Sequence, residues 1–294
     1  MKFRKGRALP VLAGLVLIAA IPAGIFFARS PALILSDASF DALYGARRAS
    51  IARVQLSLRL FRPVKKVLIA ESAGPEAAAF ALEEASERPW GAILPVRYAR
   101  GGQRYAEDHG GTPVAITEGR ESRRDGNLSY IAADTRLDAY RAGRCAAILA
   151  QAGDGAGNIL FFQAERNFPF DRESFLAGLR EEGFMEDPVF LSPDSNYSSY
   201  ENVSCVVLTG QARNFFDRNV KVPVILFSWL DPALTPANVK VIFDDSPWVL
   251  AFAAFRDKGE AKSLPANIII PKERITNPAV LRKMKSAIRE EIPQ

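Results

Sequence analysis

The chain is poor in the residues that most catalysis and metal binding draw on: a single histidine, two cysteines and three methionines stand among 294 residues. His109, in the glycine-flanked turn EDHGG, is the one imidazole, and zinc or Ser–His hydrolase chemistry needs at least one that is well placed. Cys145 lies in a helical stretch and Cys205 in an apolar strand, so each reads as a small buried hydrophobe. A disulfide between them stays open in an oxidising compartment, although two cysteines form no spacing pattern. A phosphate-cradling loop is missing as well. The first apolar run passes into SDASFDALYG, which fits neither G-x-G-x-x-G nor a Walker A pattern. GDGAG, Gly153 to Gly157, precedes a strand and reads as a turn. No cofactor and no metal are expected.

Excess charge is scarce too. The formal net charge is +5, and Lys2, Arg4, Lys5 and Arg7 supply four of the surplus positives ahead of the folded part. No basic patch argues for nucleic acid, and a helix-turn-helix has no room before the first strand. Leu9 to Ala28 then runs twenty residues without a charge, the length of a membrane span with its basic flank on the N-terminal side. A cleaved signal peptide is the alternative. Phe26, Arg29 and Pro31 fit a small-residue cleavage site poorly, so an uncleaved anchor is the preferred reading. No cysteine near the end of the run supports a lipoprotein. Either way the remainder is expected outside the cytoplasm, in a periplasm or its equivalent, with the anchor in the inner membrane.

What the sequence does have is 48% hydrophobic residues arranged as short apolar runs alternating with helical patterns. Strands are expected at ALILS (32–36), KVLIAE (66–71), GAILPV (91–96), PVAITE (113–118) and LSYIAA (128–133), with helices at 41–60, 75–87 and 134–151. The series restarts at NILFFQA (158–164), followed by a helix at 171–182, SCVVLT (204–209), a short helix near 211–218 and VPVILFSW (222–229). VKVIFDD (239–245), a helix at 247–258, NIIIP and a final charged helix complete it. Continuous apolar strands separated by helices imply parallel sheets covered on both faces. Two such series suggest two α/β lobes with a binding cleft between them. The expected organisation is an N-terminal segment over 1–30, a first lobe over 31–160 with a returning C-terminal segment, a second lobe over 161–275, and a C-terminal helix or tail over 276–294.

The order of elements, with YIAADTRLDAYRAGRCAA, FDRESFLAGLREEG and VKVIFDDSPWVLAFAAF, resembles the type I periplasmic binding proteins, the family of ribose-binding protein and of the ligand-binding part of lac-repressor-type regulators, here without a DNA-binding domain. The resemblance spans about residues 32–275 as a pattern of weak matches in order. It implies two Rossmann-like lobes joined by three crossings that close on a small solute. It also implies a ligand set. Asp37 and Phe40 follow the first strand, and Glu118 and Arg120 stand where sugar binders place an Asp-Arg pair. Asp134 borders the cleft, Trp229 and Asp231 follow a later strand, and Asp245 takes a hinge position. TGQAR (209–213), where sugar binders carry an Asn-Asp pair, and QAERNFPF around Arg166 depart from the pattern.

Carboxylates accept hydroxyl hydrogen bonds in fixed directions, arginine offers planar donors and an aromatic face covers a ring, so this set suits a polar, sugar-like solute. Each residue also has a plainer reading. Asp37 and Asp134 fit helix caps, Arg120 a solvated loop charge, and Phe40 and Trp229 core aromatics. The function expected is extracytoplasmic capture of a small polar solute for an ABC permease or a membrane sensor, without catalysis. The alternative is a membrane-anchored scaffold or partner-binding protein that kept the fold and lost the ligand. Adjacent carboxylates such as Glu83-Glu84, Glu181-Glu182 and Asp244-Asp245 do not converge as a general acid–base pair would.

Overall fold

The computed structural model describes residues 22–70, 72–74, 76–119, 122–153, 157–163, 170–191, 202–209, 221–256 and 263–292. The expected short helix near 211–218 lies outside them, as do Arg120, the TGQAR stretch beyond Thr209 and most of QAERNFPF. Residues 22–28, the described end of the apolar N-terminal run, are helical and are labelled α1. No helix among the described residues is long and apolar enough to cross a membrane.

Two six-stranded sheets follow. The first is built from β1 (Ala32–Asp37), β2 (Val64–Ile69), β3 (Gly91–Pro95), β4 (Val114–Gly119), β5 (Arg123–Asp125) and β6 (Leu128–Ala132), in the order β2-β1-β3-β4-β6-β5. The second contains β7 (Asn158–Gln163), β8 (Val189–Leu191), β9 (Val203–Thr209), β10 (Val224–Phe227), β11 (Val239–Asp244) and β12 (Asn267–Ile269), in the order β12-β11-β10-β9-β7-β8. All pairs are parallel except the edge strands β5 and β12, each antiparallel to its neighbour.

Period-two alternation sorts each strand onto both sheet faces. In β1, Leu33 and Leu35 join one core with Val67, Leu82 and Tyr105, whereas Ala32 and Ile34 join another with Phe40, Leu56 and Trp248. The second sheet repeats this, with Ile159 and Phe161 on one side and Leu160 and Phe162 on the other. Strands buried on both faces must be apolar throughout, which is why they read as unbroken runs.

The helices are α2 (Ala38–Tyr44), α3 (Ala46–Leu60), α4 (Ala77–Ala85), α5 (Ala99–Asp108), α6 (Thr135–Gln151), α7 (Arg172–Glu181), α8 (Pro247–Arg256) and α9 (Pro278–Ala287). The sequence predicts one helix over 41–60, and the structure has two. Gly45 breaks it with φ of 87°, a left-handed angle that glycine adopts without penalty. A Cβ there would also collide with the Asp231 carboxylate, so the break brings the first lobe's backbone against the second lobe.

Three crossings join the lobes. After β6 the chain leaves the first sheet, and α6 packs against α7, β9 and α9 of the second. After β11 it returns, and α8 packs on β1, β3, β4 and β6. It then crosses again into β12. The first and third crossings are strapped together: Asp134 N–H donates to the Leu264 carbonyl (2.7 Å) and Leu264 N–H to the Ala132 carbonyl (3.0 Å).

Candidate functional site

Ligands of open α/β sheets bind beyond the carboxyl ends of strands where the order reverses. In the first sheet that point lies between β1 and β3, and the structure fills it with charge. Asp37 ends β1, is fully buried, and caps α2 by accepting from Phe40 N–H (2.9 Å). Its other oxygen accepts from the Tyr98 hydroxyl (3.0 Å) and pairs with the Arg97 guanidinium, both just beyond β3. The corresponding point of the second sheet lies between β7 and β9. Thr209 ends β9 there, fully buried, with no hydrogen-bond partner for its hydroxyl among the described residues.

Between the lobes, Phe40 and Tyr44, one turn apart on α2, meet Arg48 from the start of α3. Phe40 stacks on Tyr44 at 5.3 Å and meets the Trp229 ring at 5.6 Å. Arg48 lies 4.2 Å from the Tyr44 ring centre. Its guanidinium donates to the carbonyls of Trp229 (3.1 Å) and Leu230 (3.2 Å) and pairs with Asp244, a fully buried carboxylate at the end of β11. Burial pushes the Asp244 carboxyl above its ordinary range, and the Arg48 charge and the Ser246 N–H oppose that shift. The Tyr44 hydroxyl is pushed up to about 12, by burial first and by Asp244 second. Backbone closes the same seam: Asp231 N–H donates to the Leu43 carbonyl (2.8 Å), and the Leu43 side chain sits in the second lobe's core.

Phe40, Trp229 and Asp231 thus gather at the lobe junction, while the contacts of Asp37 stay within the first lobe. The Asp231 carboxylate also accepts from Ala233 N–H (2.9 Å), capping a short 3₁₀ turn. The Glu118 side chain and Arg120 lie outside the described residues. Asp134 stands at the first crossing and caps α6 by accepting from Leu137 N–H (3.0 Å). Asp245 is half-buried at the second crossing. Both bear on Asp138, whose two oxygens accept from Ala266 N–H at the third crossing (3.1 and 3.0 Å).

Sequence reasoning did not single out Arg48, Arg97, Tyr98, Asp138 or Asp244. Arg48 reads as half of a solvated Arg47-Arg48 pair until the break at Gly45 is known. Asp244 carries one visible signal, since β11 is buried along its length apart from Lys240 and ends on a charged residue.

The groups set aside earlier have structural roles. His109 stacks on Tyr105 at 4.2 Å, with Nδ1 3.1 Å from the Tyr105 carbonyl oxygen. Cys145 and Cys205 are free and buried, with no disulfide between them; burial pushes both thiols up, Cys145 to about 12. Among the described residues no group of three or more His, Cys, Asp or Glu side chains is arranged to hold a metal ion. A cavity of about 240 Å³ opens behind the junction between α3, α8 and β12, lined by Tyr44, Gln55, Arg59, Trp248 and Asn267 among others.

This architecture is shared with solved structures. An ABC transporter solute-binding protein from Conexibacter woesei is 12% identical, with 90% of this chain and 99% of that one covered and a TM-score of 0.60. A transcriptional activator of the comK gene from Bacillus halodurans is 14% identical over 89% of this chain and 96% of its own, also with a TM-score of 0.60. An ABC transporter solute-binding protein from Aeropyrum pernix K1 is 12% identical over 89% and 85%, with a TM-score of 0.54. No family model and no curated protein sequence matches the chain. At such identities the likeness is one of fold, the two-lobed α/β architecture of type I periplasmic binding proteins expected from the order of elements.

Proposed function

We propose that the protein is an anchored extracytoplasmic solute-binding protein that captures a small polar, sugar-like ligand between its lobes and presents it to an ABC permease or a membrane sensor. The observation carrying this reading is the buried Asp37 carboxylate paired with the exposed Arg97 guanidinium and joined by the Tyr98 hydroxyl, at the strand-order reversal of the first sheet. A carboxylate that accepts and a guanidinium that donates, side by side, match a hydroxyl that does both. Binding energy closes the lobes by shifting an open–closed equilibrium, and no bond of the ligand need change.

The test is a thermal-shift screen of the full chain in detergent against sugars, polyols, nucleosides and amino acids. A ligand at 100 times its dissociation constant adds about 2.7 kcal/mol of stability, a visible shift. The expected hit is a polyhydroxylated solute whose shift disappears in Arg97→Ala.

A second reading, the anchored scaffold, is favoured by one feature. Arg48 bridges the lobes itself, holding the Trp229 and Leu230 carbonyls and Asp244. No shift with any solute across the screen would select it.

A further inference from the structure

We infer that the outward face of α3 is a membrane-docking surface that lays the first lobe on an anionic phospholipid bilayer. The inference goes beyond solute capture and rests on reading Leu9–Ala28 as a membrane anchor. Ile51, Val54 and Leu58 are spaced three and four residues apart, which places them on one side of the helix, and Phe61 follows just beyond its end. They are 49%, 53%, 69% and 42% exposed, although the opposite side already supplies Ala49 and Leu56 to the core. A helix apolar on both sides has a second medium to bury into. That outer stripe is bordered by the exposed Arg47 and Arg53, and α3 contains neither aspartate nor glutamate; Arg48 on the same helix turns into the lobe seam.

Geometry supplies the occupant. The described end of the apolar N-terminal run lies against the last turn of this helix. The Phe26 ring is 6.0 Å from the Phe61 ring, Arg29 donates to the Phe61 carbonyl (3.2 Å), and Arg62 donates to the Ser30 carbonyl (3.0 Å). Phe27 beside it is 76% exposed. An anchor leaving the bilayer at Ala28 therefore delivers the α3 stripe to the lipid surface. Apolar side chains entering the acyl boundary, with arginines at the phosphates, are what an interfacial helix needs. A second copy of the chain is disfavoured by charge, because pairing two α3 faces sets arginine against arginine with no carboxylate on either helix.

The test uses the full chain carrying Leu58→Cys, labelled with an environment-sensitive fluorophore; Cys145 and Cys205 are buried and do not compete. The protein is reconstituted into vesicles of phosphatidylcholine alone or mixed with phosphatidylglycerol, and Met185→Cys, exposed in the second lobe, serves as the reference position. Docking predicts a blue-shifted probe at 58, quenched by brominated acyl chains several-fold more than the probe at 185, and more strongly with phosphatidylglycerol. Arg47→Glu with Arg53→Glu should bring position 58 to the level of 185 while the protein still floats with the vesicles. Flotation with a probe at 58 that only aqueous iodide quenches would overturn docking and leave the anchor intact. Failure to float would overturn the anchor, and docking with it. Energy transfer between labelled copies, independent of lipid charge, would assign the face to a second copy and also overturn the proposal.

Discussion

Asp138 occupies the first turn of α6 with both oxygens on the Ala266 N–H, so one carboxylate ties the first crossing to the third. Burial, reinforced by the charges of Asp245 and Asp134, pushes its carboxyl up to about 7; the Ala266 hydrogen bond and Arg141 oppose that rise. In the unfolded chain the group releases its proton near the ordinary 3.8, so from about pH 4 to about pH 7 the folded state binds more protons. Stability contributed by this residue is therefore lost as pH rises through that window and is flat above it. At about 1.36 kcal/mol per pH unit the full difference is on the order of 4 kcal/mol. Asp138→Asn keeps an oxygen for Ala266 and carries no charge. Its urea midpoint should match the native protein near pH 4 and exceed it by an increasing margin towards pH 7.5. Equal pH profiles for the two proteins would remove Asp138 as the source. Asp37 and Asp134 were legible as helix caps, because a carboxylate between a buried strand and a helix accepts from the free N–H groups of the first turn. Their partners were not: Arg97 follows a different strand, and only the parallel register of β1 on β3 brings the two together.

Elements were legible where burial is two-sided. Each long strand of both sheets appears in the sequence as an apolar run, displaced by at most two residues at its ends. Those that escaped notice lack a long run buried on both faces: β8 is the triplet Val-Phe-Leu, in which only Leu191 is buried. β5 is the exposed edge triplet Arg-Arg-Asp, and α5 is ARGGQRYAED, whose paired glycines argue against a helix. Packing overrides propensity there: Gly102 lies over Leu94 and Ile116, where a Cβ would stand 3.4 to 3.5 Å from their side chains. Helices α6 and α7 approach so closely that two glycines interlock. A Cβ on Gly143 would collide with the Phe175 carbonyl, and one on Gly178 with the Tyr140 carbonyl. Helix propensity alone favours Gly143→Ala by about 1 kcal/mol. Overpacking costs typically 1–3 kcal/mol, and here it meets rigid backbone, so the upper end applies and the net effect is destabilising. A lower melting temperature is expected for Gly143→Ala and for Gly178→Ala, whereas Gly153→Ala, just beyond the end of α6, should stay near the native value. Because Tyr140 and Phe175 carry the struck carbonyls on facing helices, the double variant should cost less than the two single costs added together.

At the scale of the whole molecule, the central balance is whether the lobes stay together without a solute. Apolar contact contributes through Leu43 in the second lobe's core and Phe40 against Trp229, and the backbone through Asp231 N–H on the Leu43 carbonyl, while Arg48 gathers three polar contacts on one side chain. Arg48→Met keeps an apolar stem over Tyr44 and removes the donors to Trp229, Leu230 and Asp244. Stripping one partner from a buried ion pair costs roughly 3–5 kcal/mol when the other stays charged. Asp244 recovers part of that by taking up a proton, since burial already favours its neutral form. Even about 3 kcal/mol of differential loss moves a two-state equilibrium by more than a hundredfold, enough to make an open form dominant. Small-angle scattering of the ligand-free variant should therefore report a larger radius of gyration than the native chain, more so at high pH, where Asp244 is charged. Unchanged scattering would mean that the apolar seam suffices and Arg48 is not the latch. If a solute found in the binding screen returns the variant to the native radius, lobe closure and solute capture are one equilibrium, with Arg48 holding in the empty protein the place that ligand contacts take in the loaded one.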